Sequence, residues 1–310
     1  MERSSERGEC MPDFDLSVCI CSWNTREDLR ACLASIQEVR GECALELIVV
    51  DNASEDQTAE MVEQNFPWVR LFKMDLNLGF GKGHNIAFSK AQGNLLMPLN
   101  SDTLVHPGAL EEIVSFMRQN PDVGILGPQL LNPDGSLQYS CRRFPTPMAA
   151  LFRNTPLGKL FPNTKFVRDY LMQSWKHDEV RDVDWVSGAA ICIRRELYEK
   201  IGGFDEQFFM YMEDVDLCLR AHQAGFRVVY DPNAVITHAI GRSTDRMPVK
   251  MIRQFHKSML LFYKKHYLPK VAAPLKPIWI AIVGALIYLR MITLTTKSRM
   301  DLRRQARRKR

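Results

Sequence analysis

The sequence predicts an α/β fold with a mostly parallel central sheet and helices on both faces, followed by a helical, membrane-associating C-terminal extension. Three observations carry this. Strand-like and helix-like segments alternate four times in the first 120 residues, the pattern of parallel strands joined by crossover helices. Several strand-like segments, LELIVV at 45–50 above all, are short and continuously apolar, as strands covered on both faces are. They end abruptly in polar residues, DNAS at 51–54 and NSDT at 100–103, and open α/β sheets bind their ligands beyond the carboxyl ends of the strands.

Taken in order, residues 1–15 form a polar tail without an apolar signal core, so nothing there directs export. Residues 16–22 are the first strand. A helix follows, with Leu29, Cys32, Leu33 and Ile36 at helical spacing and Thr25 with Asp28 as a capping pair. After the strand at 45–50, Ser54 and Gln57 have capping-box spacing and open a second helix through Met61 and Val62. Residues 69–72 are a third strand leading into NLGFGKGHN at 77–85 and a helix around 86–91. Gly79, Gly81 and Gly83 match neither the dinucleotide fingerprint nor a P-loop; a loop admitting close backbone approach and a simple tight turn both remain open. LLMPL at 95–99 is the fourth strand, and 107–120 a helix with Pro107 near its first turn. Residues 123–146 read as short extended pieces around a turn at Asn132-Pro-Asp-Gly, and 145–182 as a variable loop or short-helix region. Residues 183–194 read as one apolar strand, followed by a helix at 196–201, the turn Gly202-Gly203 and a helix from Glu213 to Ala224.

With 310 residues and 46% hydrophobic composition, the chain can bury a large core. The formal charge of +5 is uneven. From Arg290 onward nine basic residues face one acid, Asp301, a net of +8, which leaves −3 for residues 1–289. A mildly acidic body with a local basic tail excludes a basic nucleic-acid groove. The eight cysteines include no CxxC pair, and several sit inside apolar runs, which reads as buried, reduced thiols of a cytosolic protein.

Two acidic stretches carry the chemistry. Asn100, Ser101 and Asp102 are favoured turn residues, but Asp102 at a strand tip is also a hard oxygen ligand for a divalent cation. Glu213, Asp214 and Asp216 open a helix, where its dipole stabilises carboxylates. Asp216 and Arg220 are spaced as a surface ion pair; Glu213 and Asp214 have no such partner. His238, after an apolar strand, reads as a hydrogen-bonded loop residue or a metal ligand.

Together CSWN, DNASEDQT, NLGFGKGHN, LNSDT, DWVSGAA, GGFDEQFFMYMEDVDLCLR and ITHAIGRS make the chain resemble the inverting family 2 glycosyltransferases of GT-A (Rossmann-like) fold, in a bacterial rhamnosyltransferase-like branch. The resemblance covers residues 16 to 245 and implies a GT-A domain over 16–250 with a nucleotide-sugar donor across the strand ends. By position, Ser22, Asn24 and Asp51 would contact the nucleoside. Asn77, Gly79, Lys82 and Asn85 would line the same pocket, with Asn100 and Asp102 beside the diphosphate. Asp102 and His238 would ligate Mg²⁺ or Mn²⁺; many relatives carry an acid where this chain has Asn100. Asp214 would be the general base, with Glu213, Trp185 and Gly188 shaping the acceptor site. The implied reaction transfers L-rhamnose from dTDP-rhamnose to a lipid-linked or surface-polysaccharide acceptor. A UDP-hexose donor, or a catalytically silent membrane-tethered sugar-nucleotide or glycan-binding module, is the alternative.

Residues 251–310 form the C-terminal region. MIRQFHKSMLLFYKKHYL at 251–268 mixes aromatic and basic residues, and IWIAIVGALIYL at 278–289 supplies twelve apolar residues, short of the ~20 a span requires. Spanning would also carry the basic tail away from the side marked cytosolic by Lys264, Lys265, Lys270 and Lys276. The expectation is a helix lying in the cytosolic leaflet of the inner membrane, its basic tail on anionic lipid.

Overall fold

The computed structural model describes residues 14–41, 43–146, 165–172, 174–239 and 248–308. Most of the N-terminal tail and half of the 145–182 region lie outside them. Four strands, β1 (Leu16–Ser22), β2 (Leu45–Asp51), β3 (Arg70–Lys73) and β4 (Leu95–Leu99), pair in parallel in the order β3-β2-β1-β4. The sheet continues through β11 (Cys192–Arg194), β6 (Val123–Leu131), β12 (Arg227–His238) and β5 (Thr103–Val105). Side chains alternate across it: Val18 and Ile20 enter one core with Leu29 and Leu33 of α1 (Arg26–Val39) and Leu110 and Ile113 of α4 (Ala109–Gln119). Cys19 enters the other with Phe88 of α3 (Phe80–Lys90), Leu197 of α6 (Arg195–Ile201) and Leu217 of α7 (Glu213–Gln223). Both faces are therefore covered, as the apolar strands require.

The stretch read as one strand at 183–194 is two. β10 (Trp185–Val186) pairs with β8 (Cys141–Arg142) in a separate ribbon, and β11 enters the main sheet antiparallel between β4 and β6. Both capping pairs also resolve differently. α2 (Thr58–Asn65) starts four residues after Ser54, whose hydroxyl instead accepts the Asn24 N–H at 2.9 Å. The Thr25 hydroxyl bonds Ser22 and Ser101, each at 2.8 Å. The glycine stretch is neither a free loop nor a simple turn, since α3 begins at Phe80. A Cβ on Gly83 would stand 2.3 Å from the Cys21 sulfur, and one on Gly79, at φ +85°, 2.2 Å from the Phe209 carbonyl oxygen. Glycine there lets α3 sit directly on β1 and on the segment leading to α7.

Further along are β7 (Leu137–Gln138), β9 (Arg181–Asp182) and α5 (Lys165–Leu171). The C-terminal region is two helices, α8 (Pro248–His266) and α9 (Lys276–Arg308). α8 belongs to the body built on the sheet: Phe262 is buried in the second core, and the Ser258 hydroxyl donates to the Met210 carbonyl at 2.8 Å. α9 packs Trp279, Val283 and Ile287 on Phe255, Met259 and Tyr263 of α8. Leu275, Ile278, Ile282, Leu286, Leu289 and Ile292 are exposed, a stripe three and four residues apart. The helix continues through Arg290, so Ala273–Asp301 is long and apolar enough to cross a membrane by length and composition, which removes the objection from length. All seven described cysteines are free.

Candidate active site

The carboxyl ends of β1, β2 and β4 meet in a network that begins with Asn52. This side chain was not singled out from the sequence, because it stands beside the more conspicuous Asp51. Its amide nitrogen donates to Asn77 Oδ1 and the Gly79 carbonyl at 3.1 and 3.2 Å, and its oxygen accepts the Leu78 N–H at 2.8 Å. Asn77 in turn accepts the Gly79 N–H at 2.9 Å, so Asn77 and Gly79 are held as one turn. Asn24, at φ 54°, accepts the Glu55 N–H at 2.7 Å, a left-handed position Asn tolerates. The Ser22 side chain is fully buried. Asp51 Oδ2 accepts the Ser54 N–H at 3.3 Å, while Oδ1 is buried without a partner. Burial pushes the Asp51 carboxyl up, against the pull of its Ser54 contacts.

Lys82 and Asn85 face elsewhere. Lys82 pairs with Glu206 at 3.4 Å. Asn85 is consumed by the 203–206 loop, donating to the Phe204 carbonyl at 2.9 Å and accepting the Phe204 N–H at 3.0 Å. It ties α3 to the chain before α7.

At the tip of β4, Asn100, Asp102 and His238 come together across 138 residues of sequence. Asn100 Nδ2 lies 3.2 Å and Asp102 Oδ1 3.3 Å from His238 Nε2. The other ring nitrogen, Nδ1, lies 2.8 Å from Gln138 Oε1, an obligate acceptor, so Nδ1 carries the proton and Nε2 presents a lone pair. Gln138, which nothing in its local sequence singles out, thus orients the ring as outer partners of metal-binding histidines do. The Nε2 lone pair accepts the Asn100 amide N–H and stands beside the Asp102 carboxylate, so imidazole and carboxylate converge on one point. Ligands ~2.1 Å from a metal in adjacent octahedral positions stand about 3 Å apart, close to the separation here. The Asp102 carboxylate and the His238 imidazole nitrogen therefore fit Mg²⁺ or Mn²⁺, while Asn100 turns its amide nitrogen toward the ring. Among the described residues no third acid, cysteine or histidine joins them.

The second acidic stretch lies after two consecutive left-handed residues, Tyr211 and Met212 at φ 68° and 71°. Such bulky residues hold this conformation at a cost of roughly 1–3 kcal/mol each, here imposed by bonds from Phe80 N–H to Phe209 O and from Ser258 to Met210 O. The strain turns Glu213 and Asp214 into the site. Asp214 Oδ2 accepts the Gly188 N–H at 3.0 Å and Oδ1 the Val215 N–H at 2.8 Å. Burial raises the Asp214 carboxyl, opposed by these two N–H groups and the charge of Arg142. Glu213 is buried with Oε2 unpartnered, and burial plus the neighbouring Asp214 lift it well above the usual range. Adjacent acids pushed to different degrees divide the roles of proton holder and proton acceptor.

Gly188 thus meets Asp214 through its backbone, and a Cβ there would stand 3.3 Å from the Asp214 Cβ. Its neighbour Ala189 accepts the Asn100 N–H at 2.8 Å, so one dipeptide joins the β4 tip to the acid of α7. Trp185 is buried, donates its indole N–H to the Arg143 carbonyl at 2.8 Å, and lies beneath the Arg142 guanidinium at 5.3 Å.

Asp216 is not in a surface pair. It is fully buried and receives Arg220 at 2.7 Å, Lys265 at 2.7 Å and His266 at 2.6 Å. Burial alone would raise its carboxyl, but the His266 hydrogen bond and the two cations hold it below the ordinary value. Lys265 and His266 belong to α8, so this knot fastens α8 to the first turn of α7.

Residues 12–257 match the family described as glycosyltransferase like family 2. The chain is 30% identical over 272 residues to the N-acetylglucosaminyl-diphospho-decaprenol L-rhamnosyltransferase of Mycobacterium tuberculosis, covering 84% of this chain and 88% of that protein. It is 29% identical over 162 residues to rhamnosyltransferase WbbL of Escherichia coli K12, covering 50% of this chain and 58% of that one. Among solved structures it resembles mannosyltransferase PcManGT from Pyrobaculum calidifontis in complex with GDP-Man and Mn²⁺, with a TM-score of 0.56 at 19% identity, covering 96% of this chain and 75% of that one. That likeness concerns the fold.

Proposed function

Because the chain belongs to the family 2 glycosyltransferases, we propose that it is a membrane-associated, metal-dependent inverting transferase moving L-rhamnose from dTDP-rhamnose to a sugar carried on a lipid diphosphate. The observation that carries this reading is the Gly188-Ala189 dipeptide, which binds the base candidate Asp214 through the Gly188 N–H and the Asn100 turn through the Ala189 carbonyl. Carboxylate base and cation-binding turn are thereby set at a fixed separation, as a single in-line displacement requires. The relative from M. tuberculosis, named for a rhamnosyl transfer to a diphospho-decaprenol glycan, supports the choice of sugar and acceptor.

Asp51 Oδ1, buried and without a partner, is an acceptor for the N–H of a pyrimidine base, and the Asn52 network presents the surrounding backbone. Asp102 and His238 would hold the cation, with Asn100 supplying an amide where relatives supply an acid. When bound, the cation offsets charge growing on the departing diphosphate. Asp214 takes the proton from the acceptor hydroxyl as its oxygen attacks the anomeric carbon and the bond to the diphosphate breaks, inverting that centre. The two backbone N–H groups oppose the rise that burial imposes on the Asp214 carboxyl, while burial and the neighbouring Asp214 push Glu213 well above the usual carboxylate range.

The apolar stripe of α9 supports association with the cytosolic face of the inner membrane. Five or six half-exposed aliphatic side chains, at ~1 kcal/mol or more each, combine with the basic tail at ~1 kcal/mol per residue on anionic lipid. The opposite face of α9 is taken by α8, itself packed on the catalytic body, which favours lying along the surface over crossing it.

Donor binding by the purified protein, with dTDP-rhamnose, UDP-hexoses and GDP-hexoses in the presence and absence of Mn²⁺, tests the reading. Cation-dependent binding of dTDP-rhamnose that vanishes in Asp102→Ala is expected. Tighter binding of a UDP-hexose would replace the donor assignment, and unchanged binding in Asp102→Ala would remove Asp102 from the metal site.

A further inference from the structure

We propose that Arg142 forms a phosphate subsite on the acceptor side of the cleft, taking the lipid-borne diphosphate of the acceptor in its guanidinium fork. The inference rests on the glycolipid reading above and extends it to a residue whose chemistry that reading leaves unused.

Arg142 and Arg143 are neighbours with different circumstances. Arg143 is neutralised by Asp184 at 3.0 Å. Arg142 has no carboxylate partner among the described residues; its single hydrogen bond, to the Tyr139 carbonyl, is 3.4 Å long, and its Nε is buried without a partner. A guanidinium has five donors, arranged to match a phosphate with two parallel bonds. Trp185 orients the plane of this one, 5.3 Å above its ring, a contact worth roughly 0.5–2 kcal/mol that leaves the donors themselves unused. The Ser140 hydroxyl, two residues earlier, is likewise buried without a partner.

Position selects the ligand. The charge of Arg142 reaches Asp214, on the acceptor side, whereas the donor's diphosphate has Asp102, His238 and a cation. Among the described residues Asp214 makes no hydrogen bond or ion pair to Arg142; its two oxygens accept the Gly188 and Val215 N–H groups. The strand carrying Arg142 leaves the site toward α8, where Tyr267 donates to the Pro145 carbonyl at 3.0 Å and Tyr263 to the Thr146 carbonyl at 3.2 Å. α8 carries α9 and its outward apolar stripe. Arg142 therefore stands between the base and the lipid-facing helix pair, on the path of a diphosphate that arrives at the membrane surface with its sugar pointing to Asp214.

The test compares two acceptors on the full-length protein: N-acetylglucosamine on a short prenyl diphosphate, and an alkyl glycoside of the same sugar without phosphate. Transfer by the wild type to neither acceptor, from any nucleotide sugar, would refute the glycolipid reading and this subsite with it. Given transfer, Arg142→Ala is expected to raise KM for the diphosphate acceptor by roughly 10- to 100-fold, the worth of one or two charge-assisted hydrogen bonds. That loss should exceed the loss on the alkyl glycoside at least tenfold. Arg142→Lys, which keeps the charge without the fork, should recover part of it. Unchanged donor affinity shows that both variants are folded. Equal losses on the two acceptors would overturn the subsite and leave Arg142 acting on Asp214 or Trp185; a raised donor KM would overturn it in favour of the leaving diphosphate.

Discussion

At the tips of β1 and β2 the polar side chains are occupied with one another. Asn24, Asn52, Ser54 and Asn77 fix the backbone, and the Asp51 Oδ1 atom is left over. At the start of α7 and along β8 the balance is reversed: Glu213, Ser140 and Arg142 all keep buried atoms without partners, behind two left-handed residues. On the proposed reading the first region is the donor side, a frame whose hydrogen bonds go into shape and which holds left-handed residues of its own at Asn24, Ala53 and Gln57. The second is the acceptor side, whose unpartnered buried atoms are left for a substrate and a proton.

Substitutions on the two sides should therefore fail differently. Asp214→Asn should lower transfer by ~10²-fold or more with donor affinity unchanged; equal turnover in the two proteins would remove Asp214 as the base. Gln138→Ala, which frees His238 Nδ1, should weaken Mn²⁺ binding by roughly 10- to 100-fold, read by titrating the metal into the nucleotide complex. An unaltered affinity would mean that the ring needs no orienting partner. Asn52→Ala leaves the Leu78 N–H and the Gly79 carbonyl without their partner and should cost about 1–3 kcal/mol in denaturant unfolding, more than any effect it has on turnover per bound donor. The smallest change is expected from Glu213→Gln, and it should be a gain. A carboxyl whose folded value is raised favours the folded state only while protonated, so its contribution is lost as pH rises through the folded value. The variant should melt above the wild type at mildly alkaline pH, and the difference should shrink as pH falls into the ordinary carboxylate range.

The sequence made the first half of the sheet legible because its information is local. Leu29, Cys32, Leu33 and Ile36 do form the buried stripe of α1, and LELIVV is an interior strand paired on both sides. What escaped depends on distant partners. Nothing within residues 183–194 says that β11 runs antiparallel, since its direction is set by β4 and β6 on either side. Asp216 read as a surface residue because Lys265 and His266, which bury it, lie about fifty residues away. Gln138 sits next to a turn, a hundred residues before the histidine it orients. Asp102, His238 and Asp214 could be nominated from spacing and resemblance; the way a peptide pair connects their surroundings could not.

That pair, Gly188-Ala189, has a consequence for how such a transferase diversifies. On the proposed reading, the separation of proton acceptor from leaving-group site is set by one bond from the Gly188 N–H to the Asp214 carboxylate and one from the Asn100 N–H to the Ala189 carbonyl. Residues 139–146 and α8 can then exchange one acceptor for another while the reaction coordinate keeps its length. Grafting that segment from a relative onto this frame is a route to new linkages in which the chemistry is inherited and only the guest changes.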